Sequence, residues 1–208
     1  MRTLAAGLLA LALSACTPAS APTAETPAPS AAMTSAMTAA REHVAANEEA
    51  IVRELRDLLA LPNVASNPND IRRNAEALVA MLERRGISAR IIETPGAPVN
   101  VYGELTTPGA TRTLLYYAHF DGQPVEPLDA WVTPPFTPTL RAGRFEDDAA
   151  IIPWERATYP LADDARIYAR SASDDKAPIV AMLAAIDAMR AANIPLSANL
   201  KFFLEGEE

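Results

Sequence analysis

The stretch Tyr168-Ala169-Arg170-Ser171-Ala172-Ser173-Asp174-Asp175-Lys176 lies where a short apolar segment ends and a helix pattern begins. Two further acidic segments also follow apolar runs. His119-Phe120-Asp121 comes after residues 114–117, and Glu205-Gly206-Glu207-Glu208 comes after residues 200–204. Ligands of open α/β sheets bind at the carboxyl ends of the strands. The three segments therefore predict one site at this edge of a sheet, where a histidine and several carboxylates suit a divalent metal ion.

Around these segments the chain alternates between helix and strand patterns. An apolar face that recurs with helical spacing predicts helices over residues 41–60, 70–85 and 177–191. Strands are predicted over residues 89–93, 99–105, 112–118, 166–169 and 200–204. The strand over 112–118 is apolar on both faces, which is typical of a central strand in a covered sheet. The alternation predicts an α/β fold with a mostly parallel sheet flanked by helices.

The stretch between residues 122 and 165 is rich in proline and aspartate and shows little periodicity. A loop of this length inside a domain is usually functional or wrongly assigned. Residues 144–161 within it look like a local insertion, for which the sequence predicts no element.

The chain has 208 residues and a net charge of −8. This acidic balance argues against a nucleic-acid partner, because phosphate binding needs a basic surface. The chain has one cysteine, Cys16, so no disulfide can form within it.

Residues 1–16 have the pattern of a secretory signal, with a basic start, an apolar run and small residues before Cys16. The apolar run is too short to span a membrane comfortably. Leu13-Ser14-Ala15-Cys16 also resembles a bacterial lipobox. That resemblance implies a lipid anchor at Cys16 on the periplasmic side, in the outer membrane of a Gram-negative bacterium. The alternative is an ordinary signal peptide whose cysteine is incidental.

The remainder of the chain divides into two parts. Residues 17–40 are mostly Ala, Pro, Thr and Ser, and are expected to form a disordered linker. Residues 41–208 contain every predicted helix and strand, and are expected to form the folded part.

The three acidic segments resemble the signatures of the M20 family of two-zinc metallopeptidases, most closely its dipeptidase-like, carnosinase-like branch. The similarity runs from about residue 45 to residue 208. It implies that His119 is a zinc ligand, that Asp121 is the carboxylate that orients this histidine, and that Asp174 bridges two zinc ions. Manganese or cobalt in place of zinc stays open.

The last segment allows two alignments with the family motif Glu-Gly-x-Glu-Glu. In the direct alignment Glu208 is the general base, and the next ligand would follow it. In the shifted alignment Glu207 is the base and Glu208 is a ligand. The resemblance favours the direct alignment.

The middle segment departs from the family pattern. Ala169-Arg170-Ser171 stands where the family has Gly-Arg-Gly, and Ala177 replaces a glycine after Lys176. Glycine permits backbone conformations that other residues rarely adopt, so the loop conformation is in doubt. Arg170 and Lys176 are expected to pair with nearby carboxylates.

The resemblance implies hydrolysis of dipeptides or short peptides by a metal-bound water that a glutamate activates. Three alternatives stay open. One is an N-acyl amino acid amidohydrolase (deacylase) of the same family, and another is a non-catalytic periplasmic binding lipoprotein. The third is a one-domain aminopeptidase with two zinc ions and a different order of ligands.

The chain ends inside the last family motif, so we expect it to be the incomplete N-terminal half of a catalytic domain. The family takes two more ligands, an Asp and a His, from further along. It also has a smaller lid and dimerisation domain, which is absent from these 208 residues. We therefore expect the 208-residue polypeptide to be inactive, and its parent to be active and to form a homodimer.

Overall fold

The computed structural model describes residues 30–208. The predicted signal peptide, Cys16 and most of the predicted linker lie outside the described residues. The helices are α1 (Ala31–Leu59), α2 (Pro68–Glu83) and α3 (Lys176–Ala191). The strands are β1 (Ser88–Ile92), β2 (Asn100–Leu105), β3 (Thr113–His119), β4 (Thr139–Arg141), β5 (Ile151–Ile152), β6 (Arg166–Tyr168) and β7 (Asn199–Glu205).

Helix α1 begins earlier than the sequence indicated. Ser30 caps it by accepting a hydrogen bond from the backbone N–H of Met33. Residues 31–40, which were predicted to belong to the disordered linker, therefore form the first turns of the helix. The prolines of this region end at Pro29, and the Ala- and Met-rich residues that follow have high helix propensity. Within the described residues, no helix is long and apolar enough to cross a membrane.

The main sheet has four strands in the order β1-β2-β7-β3. The α/β class is confirmed, but the expectation of a mostly parallel sheet is wrong for the described residues. Strands β1 and β2 pair antiparallel, as do β2 and β7, and only β3 and β7 are parallel. The reason lies in the connections. A short loop without a crossover helix joins β1 to β2, and such a loop can only produce an antiparallel pair.

The hydrophobic core lies between the helices and one face of this sheet. Its fully buried members include Leu78 of α2, Leu183 of α3 and Phe202 of β7. The opposite face is exposed at Leu115 and Tyr117 of β3. Strand β3 was predicted to be central, but it lies at an edge of the sheet among the described residues.

The long stretch without periodicity supplies β4 and β5 to a second, three-stranded sheet, which the predicted strand β6 completes in the order β5-β4-β6. Part of this region rests on α1, where the Leu161 N–H donates to Glu48 Oε1 at 2.9 Å and the Arg56 guanidinium lies 5.3 Å from the Trp154 ring centroid. The last strand of the small sheet, β6, leads directly into the loop 169–175. This small sheet therefore positions the loop that carries Asp174.

A mostly buried charge cluster joins the three helices. The Arg85 guanidinium donates to Glu54 of α1 at 2.7 Å and to Asp187 of α3 at 2.8 Å. Burial alone would raise the pKa of Glu54, but the hydrogen bond and the charge of Arg85 outweigh it and lower that pKa. The ionised form of Glu54 therefore stabilises the fold.

Replacing Glu54 by glutamine is expected to lower the free energy of unfolding by about 1–3 kcal/mol at neutral pH. Because the folded state lowers the pKa of Glu54, the unfolded state binds more protons as the pH falls below the ordinary value of 4.5. The advantage of wild type over the variant should therefore shrink below pH 4.5. Urea unfolding at several pH values checks this, with the exposed Asp57→Asn as the control. A difference that grows on acidification would contradict it.

Candidate active site

The register of the main sheet brings two of the acidic segments together. Strands β3 and β7 run parallel with His119 opposite Glu205, so their carboxyl ends meet. The pairing continues for one more residue, because the Phe120 N–H donates to the Glu205 carbonyl at 2.8 Å. The chain then turns away on both strands and leaves a cleft at this edge.

His119 lies at the centre of the cluster and is mostly buried. Its Nδ1 lies 3.2 Å from Asp121 Oδ1, and its Nε2 lies 2.9 Å from Asp174 Oδ1. Glu208 Oε2 is 3.7 Å from the same Nε2. The structure therefore brings together all four residues that the sequence singled out for the site.

The four residues differ in their access to solvent. Asp121 is buried behind the histidine, whereas the side chains of Asp174 and Glu208 are largely exposed in the cleft. Asp121 can thus orient the ring from behind, while Nε2 faces the exposed carboxylates of Asp174 and Glu208 in the cleft. Burial alone would lower the pKa of His119, but the hydrogen bonds to Asp174 and Asp121 outweigh it and raise that pKa.

The glutamates of the last segment are placed differently. The Glu208 N–H donates to Asp121 Oδ1 at 3.3 Å, which fixes the residue beside the histidine. Glu207 is exposed, and Glu205 accepts a hydrogen bond from the Tyr117 hydroxyl at 2.6 Å. That bond raises the pKa of Tyr117 to about 12. Of the three glutamates, only Glu208 has a carboxylate within ion-pair distance of a His119 ring nitrogen, at 3.7 Å.

Gly206 lets the chain pass close to the neighbouring loop. Its N–H donates to Asn100 Oδ1 at 2.9 Å, and a Cβ at this position would lie 2.2 Å from the Val99 carbonyl oxygen. A methyl group there would force the backbone to move. The glycine of the motif therefore determines where Glu208 lies.

Replacing Gly206 by alanine is expected to destabilise the fold by about 1–3 kcal/mol through this overpacking. It should also displace Glu208 from Asp121 and His119, and so lower any activity that depends on Glu208. Thermal unfolding and an activity assay on the same preparation check both effects. Gly143→Ala is the control, since its Cβ would meet only the Ala149 Cβ at 3.3 Å. Wild-type activity in Gly206→Ala would contradict this placement of Glu208.

Arg170 and Lys176 do not pair with carboxylates in the described part of the chain. Arg170 lies over the Trp131 ring at 4.9 Å and donates to the Pro124 carbonyl at 3.2 Å. Lys176 is fully buried, and its Nζ donates to the carbonyls of Leu58 and Leu61 at 2.9 and 3.0 Å. Burial lowers the pKa of Lys176 to about 7. The expectation of carboxylate partners is therefore wrong, because Lys176 reaches the carbonyls at the end of α1 and Arg170 reaches a ring and a loop carbonyl.

A cavity of about 480 Å³ opens beside the cluster. His119 and Asp174 line one side of the cavity. The small sheet and the loops next to it line another side. The wall residues are Trp131, Arg141, Phe145 and Tyr168. Tyr168 begins the middle acidic segment, but the sequence did not indicate Arg141 or Phe145, because they reach this segment only through the pairing of β4 with β6.

The donor set is chemically suited to a divalent cation. An imidazole nitrogen and carboxylate oxygens are ligands of zinc and of related metals, and His119 and Asp174 meet in the cleft. Across residues 30–208, however, no three His, Cys, Asp or Glu side chains are arranged as a metal site. The described residues thus fit part of a metal centre. Together with the sheet, they define the class: an α/β domain with a cluster of one histidine and several carboxylates at its strand ends.

Comparison with known proteins agrees with this class. Residues 115–208 match the model described as peptidase family M20/M25/M40. The chain is 27% identical over 154 residues to the Cys-Gly metallodipeptidase dug1 of Schizosaccharomyces pombe, covering 73% of this chain and 28% of that protein. It is 31% identical over 99 residues to a succinyl-diaminopimelate desuccinylase of Acidovorax ebreus, covering 48% and 20%.

A solved structure shares the fold. It is an M20 family metallo-carboxypeptidase from Sulfolobus solfataricus, with a TM-score of 0.59 and 31% identity, covering 76% of this chain and 31% of that one. The chain therefore spans between a fifth and a third of the length of these three proteins. All three are enzymes by name, and two are named as metalloenzymes. The described residues are thus similar in fold to part of an M20 catalytic domain.

Proposed function

We propose that this chain is the N-terminal part of an M20-type metallopeptidase whose substrates are dipeptides or short peptides. The observation that carries the proposal is the meeting of His119 with Asp121, Asp174 and Glu208 at the carboxyl ends of β3 and β7. The likeness of residues 115–208 to the M20 family supports it.

Each of the four residues has a role in this proposal. His119 and Asp174 would hold the metal, and Asp174, whose side chain is largely exposed in the cleft, would bridge two zinc ions. Asp121 fixes the ring of His119 through Nδ1, which sets the tautomer and raises the basicity of Nε2. When bound, zinc polarises the scissile carbonyl and lowers the pKa of water; manganese or cobalt could serve in its place.

Glu208 is the general base. Its carboxylate takes a proton from the attacking water as the water oxygen bonds to the carbonyl carbon of the peptide. It then delivers this proton to the leaving nitrogen as the C–N bond breaks. The exposure of the Glu208 side chain in the cleft leaves room for both transfers.

A deacylase that acts on N-acyl amino acids is the second candidate. The observation in its favour is the similarity to a desuccinylase, which is as high in identity as that to the metallodipeptidase. Both reactions break an amide bond with the same residues. The residues of this chain that line the cavity do not distinguish a peptide substrate from an N-acyl amino acid substrate.

Removal of metal tests the proposal. We expect a chelator to abolish dipeptide hydrolysis by the protein encoded by the complete gene, and added zinc, manganese or cobalt to restore it. Assays with Cys-Gly, β-Ala-His and N-succinyl amino acids side by side separate peptidase from deacylase. Unchanged hydrolysis after the metal content has fallen to zero would overturn the proposal. A protein that binds no metal and has no activity would favour the binding lipoprotein.

The proposal includes the organisation of the whole protein. The remaining ligands and a smaller domain that forms a dimer would come from residues C-terminal to Glu208, so the 208-residue chain by itself is expected to be inactive. Dipeptide hydrolysis by the isolated chain would refute this. A monomer of the complete protein in size-exclusion chromatography would refute the dimer.

From the sequence of residues 1–40 we also propose where the protein is located in the cell. Residues 1–16 act as a lipoprotein signal, Cys16 carries the lipid, and the linker holds the enzyme off the periplasmic side of the outer membrane. The support is the pattern of the sequence. Labelling with radioactive palmitate in cells, with Cys16→Ser as the control, tests it. Equal labelling of both proteins, or none, would count against it.

A further inference from the structure

The loop that follows His119 and the loop that carries Asp174 are attached to the same short segment. This segment, residues 58–63, covers the end of α1 and the turn that follows it. Asn63 lies at its far end and is fully buried. No sequence pattern pointed to Asn63, because a polar residue after Leu61-Pro62 is typical of an ordinary turn.

Asn63 holds the first loop at the positions on either side of Asp121. Its Nδ2 donates to the Phe120 carbonyl at 2.6 Å. Its own carbonyl accepts a hydrogen bond from the Gly122 N–H at 2.8 Å. The backbone that presents His119 and Asp121 is therefore fixed to Asn63 by two bonds.

The same amide holds the second loop through Ser171. The Asn63 Nδ2 donates to Ser171 Oγ at 2.9 Å, and Ser171 Oγ lies 3.4 Å from the Asp121 carbonyl. Ser171 has φ of 61°, in the left-handed region that disfavours serine. The buried bond to Asn63 offsets this strain, so serine keeps a backbone conformation that glycine would adopt more readily.

The two loops also touch directly at this point. A Cβ on Gly122 would lie 2.6 Å from Ser171 Oγ, so the approach leaves no space for a side chain. At the other end of the second loop, Lys176 is bonded to the carbonyls of Leu58 and Leu61. The loop that presents Asp174 is thus pinned at both ends to residues 58–63.

We propose that Asn63 and Ser171 are positioning residues of the metal centre, which set the separation of His119 from Asp174. This inference rests on the proposed function for the identity of the ligands. A positioned partner outside the ligand set changes metal affinity by about 10–100-fold when it is removed. Asn63 and Ser171 act in this way on both ligand loops at once.

Asn74 provides a matched control. It is also fully buried, and its Nδ2 donates to the carbonyls of Pro62 and Asp70 at 2.7 and 2.8 Å. Both asparagines have a buried Oδ1 without a partner among the described residues. Asn74 is hydrogen-bonded to the same turn, through the Pro62 carbonyl, and its side chain has no hydrogen bond to either ligand loop among the described residues. Its replacement should therefore affect stability to a similar degree without moving the ligands.

The experiment compares Asn63→Ala and Asn74→Ala in the protein encoded by the complete gene. We expect similar losses of Tm, but zinc affinity that is about 10–100-fold weaker only in Asn63→Ala. Competition with a chromogenic chelator measures the affinity, and the visible absorption of the cobalt form reports the ligand geometry. Equal zinc affinity of the two variants would overturn the proposal.

Ser171→Ala removes the acceptor of the hydrogen bond that Asn63 Nδ2 donates to Ser171 Oγ. This second variant tests the same bond if Asn63→Ala fails to fold. It should weaken zinc binding in the same direction, and the double variant should add little to either single change. If wild type binds no zinc, the proposed function fails instead. The ring signals of His119 in NMR, identified by their absence in His119→Gln, then decide. They should shift in Ser171→Ala and not in Asn74→Ala; shifts in neither would overturn the positioning role.

Discussion

Replacing Glu208 by glutamine is expected to lower kcat for dipeptide hydrolysis by about 10²–10⁴-fold. Glutamine keeps the shape of the side chain and the backbone bond to Asp121, but it cannot accept the proton of the attacking water. Because glutamine has the same shape and leaves the rest of the cleft unaltered, KM should move little. Steady-state kinetics of the protein encoded by the complete gene, with metal content measured on the same sample, check this.

Glu207→Gln is the matched control, since Glu207 is exposed and lies one residue away. It should retain wild-type kcat if Glu208 is the base. Under the shifted alignment the results reverse: Glu207→Gln would be inactive and Glu208→Gln would lose metal. Metal content therefore separates a base from a ligand at position 208, which activity alone could not do.

The position of the site was predictable because it depends on local patterns. Each acidic segment follows an apolar run, and two of these runs, β3 and β7, are parallel strands whose carboxyl ends meet. The middle segment instead follows β6 of the small sheet, which is antiparallel to β4, so the prediction of one sheet edge for all three segments is wrong. The register of β3 with β7 then places His119 opposite Glu205. Nothing beyond strand pairing is needed to bring these two ends together.

The pairing directions were less predictable. Alternation of helix and strand favours parallel pairs, yet β1 and β2 form an antiparallel pair through a short loop. The apolar pattern of β3 was correctly assigned to a strand, but Leu115 and Tyr117 are exposed on the uncovered face. The apolar pattern of a strand indicates that both of its faces can be buried. It does not indicate which other segment packs against each face.

The residues that anchor the loops of the candidate site were the least predictable part of the structure. Asn63 lies 108 residues from Ser171 in the sequence. By sequence alone Asn63, Ser171 and Lys176 could each equally be a surface residue. Their burial follows from the tertiary approach of the loops to the end of α1. Ser171 illustrates this, because the sequence shows only that a glycine of the family pattern is missing. The structure shows that serine adopts a left-handed conformation there and adds a hydrogen bond to Asn63.

Replacement of Lys176 is also expected to have a large effect, in this case on the free energy of unfolding. The ammonium is fully buried, with two carbonyl acceptors at the end of α1. Replacing it by alanine is expected to lower the free energy of unfolding by about 3–5 kcal/mol, because a cavity forms and a buried carbonyl loses its donor. Lys201→Ala is the control, since Lys201 is the other lysine of the chain and is only partly buried, with its ammonium 5.9 Å from the centroid of the Tyr102 ring.

Lys176→Met separates the contribution of volume from that of hydrogen bonding. Methionine fills most of the space and relieves the penalty of burying a charge, which is the penalty that lowers the pKa of Lys176. The Leu61 carbonyl is nevertheless left without this donor, so a loss of about 1–3 kcal/mol should remain. Urea unfolding of the three proteins measures both steps. If methionine were as stable as lysine, packing alone would hold α3 against the end of α1, and the two hydrogen bonds would contribute nothing to the fold that presents Asp174.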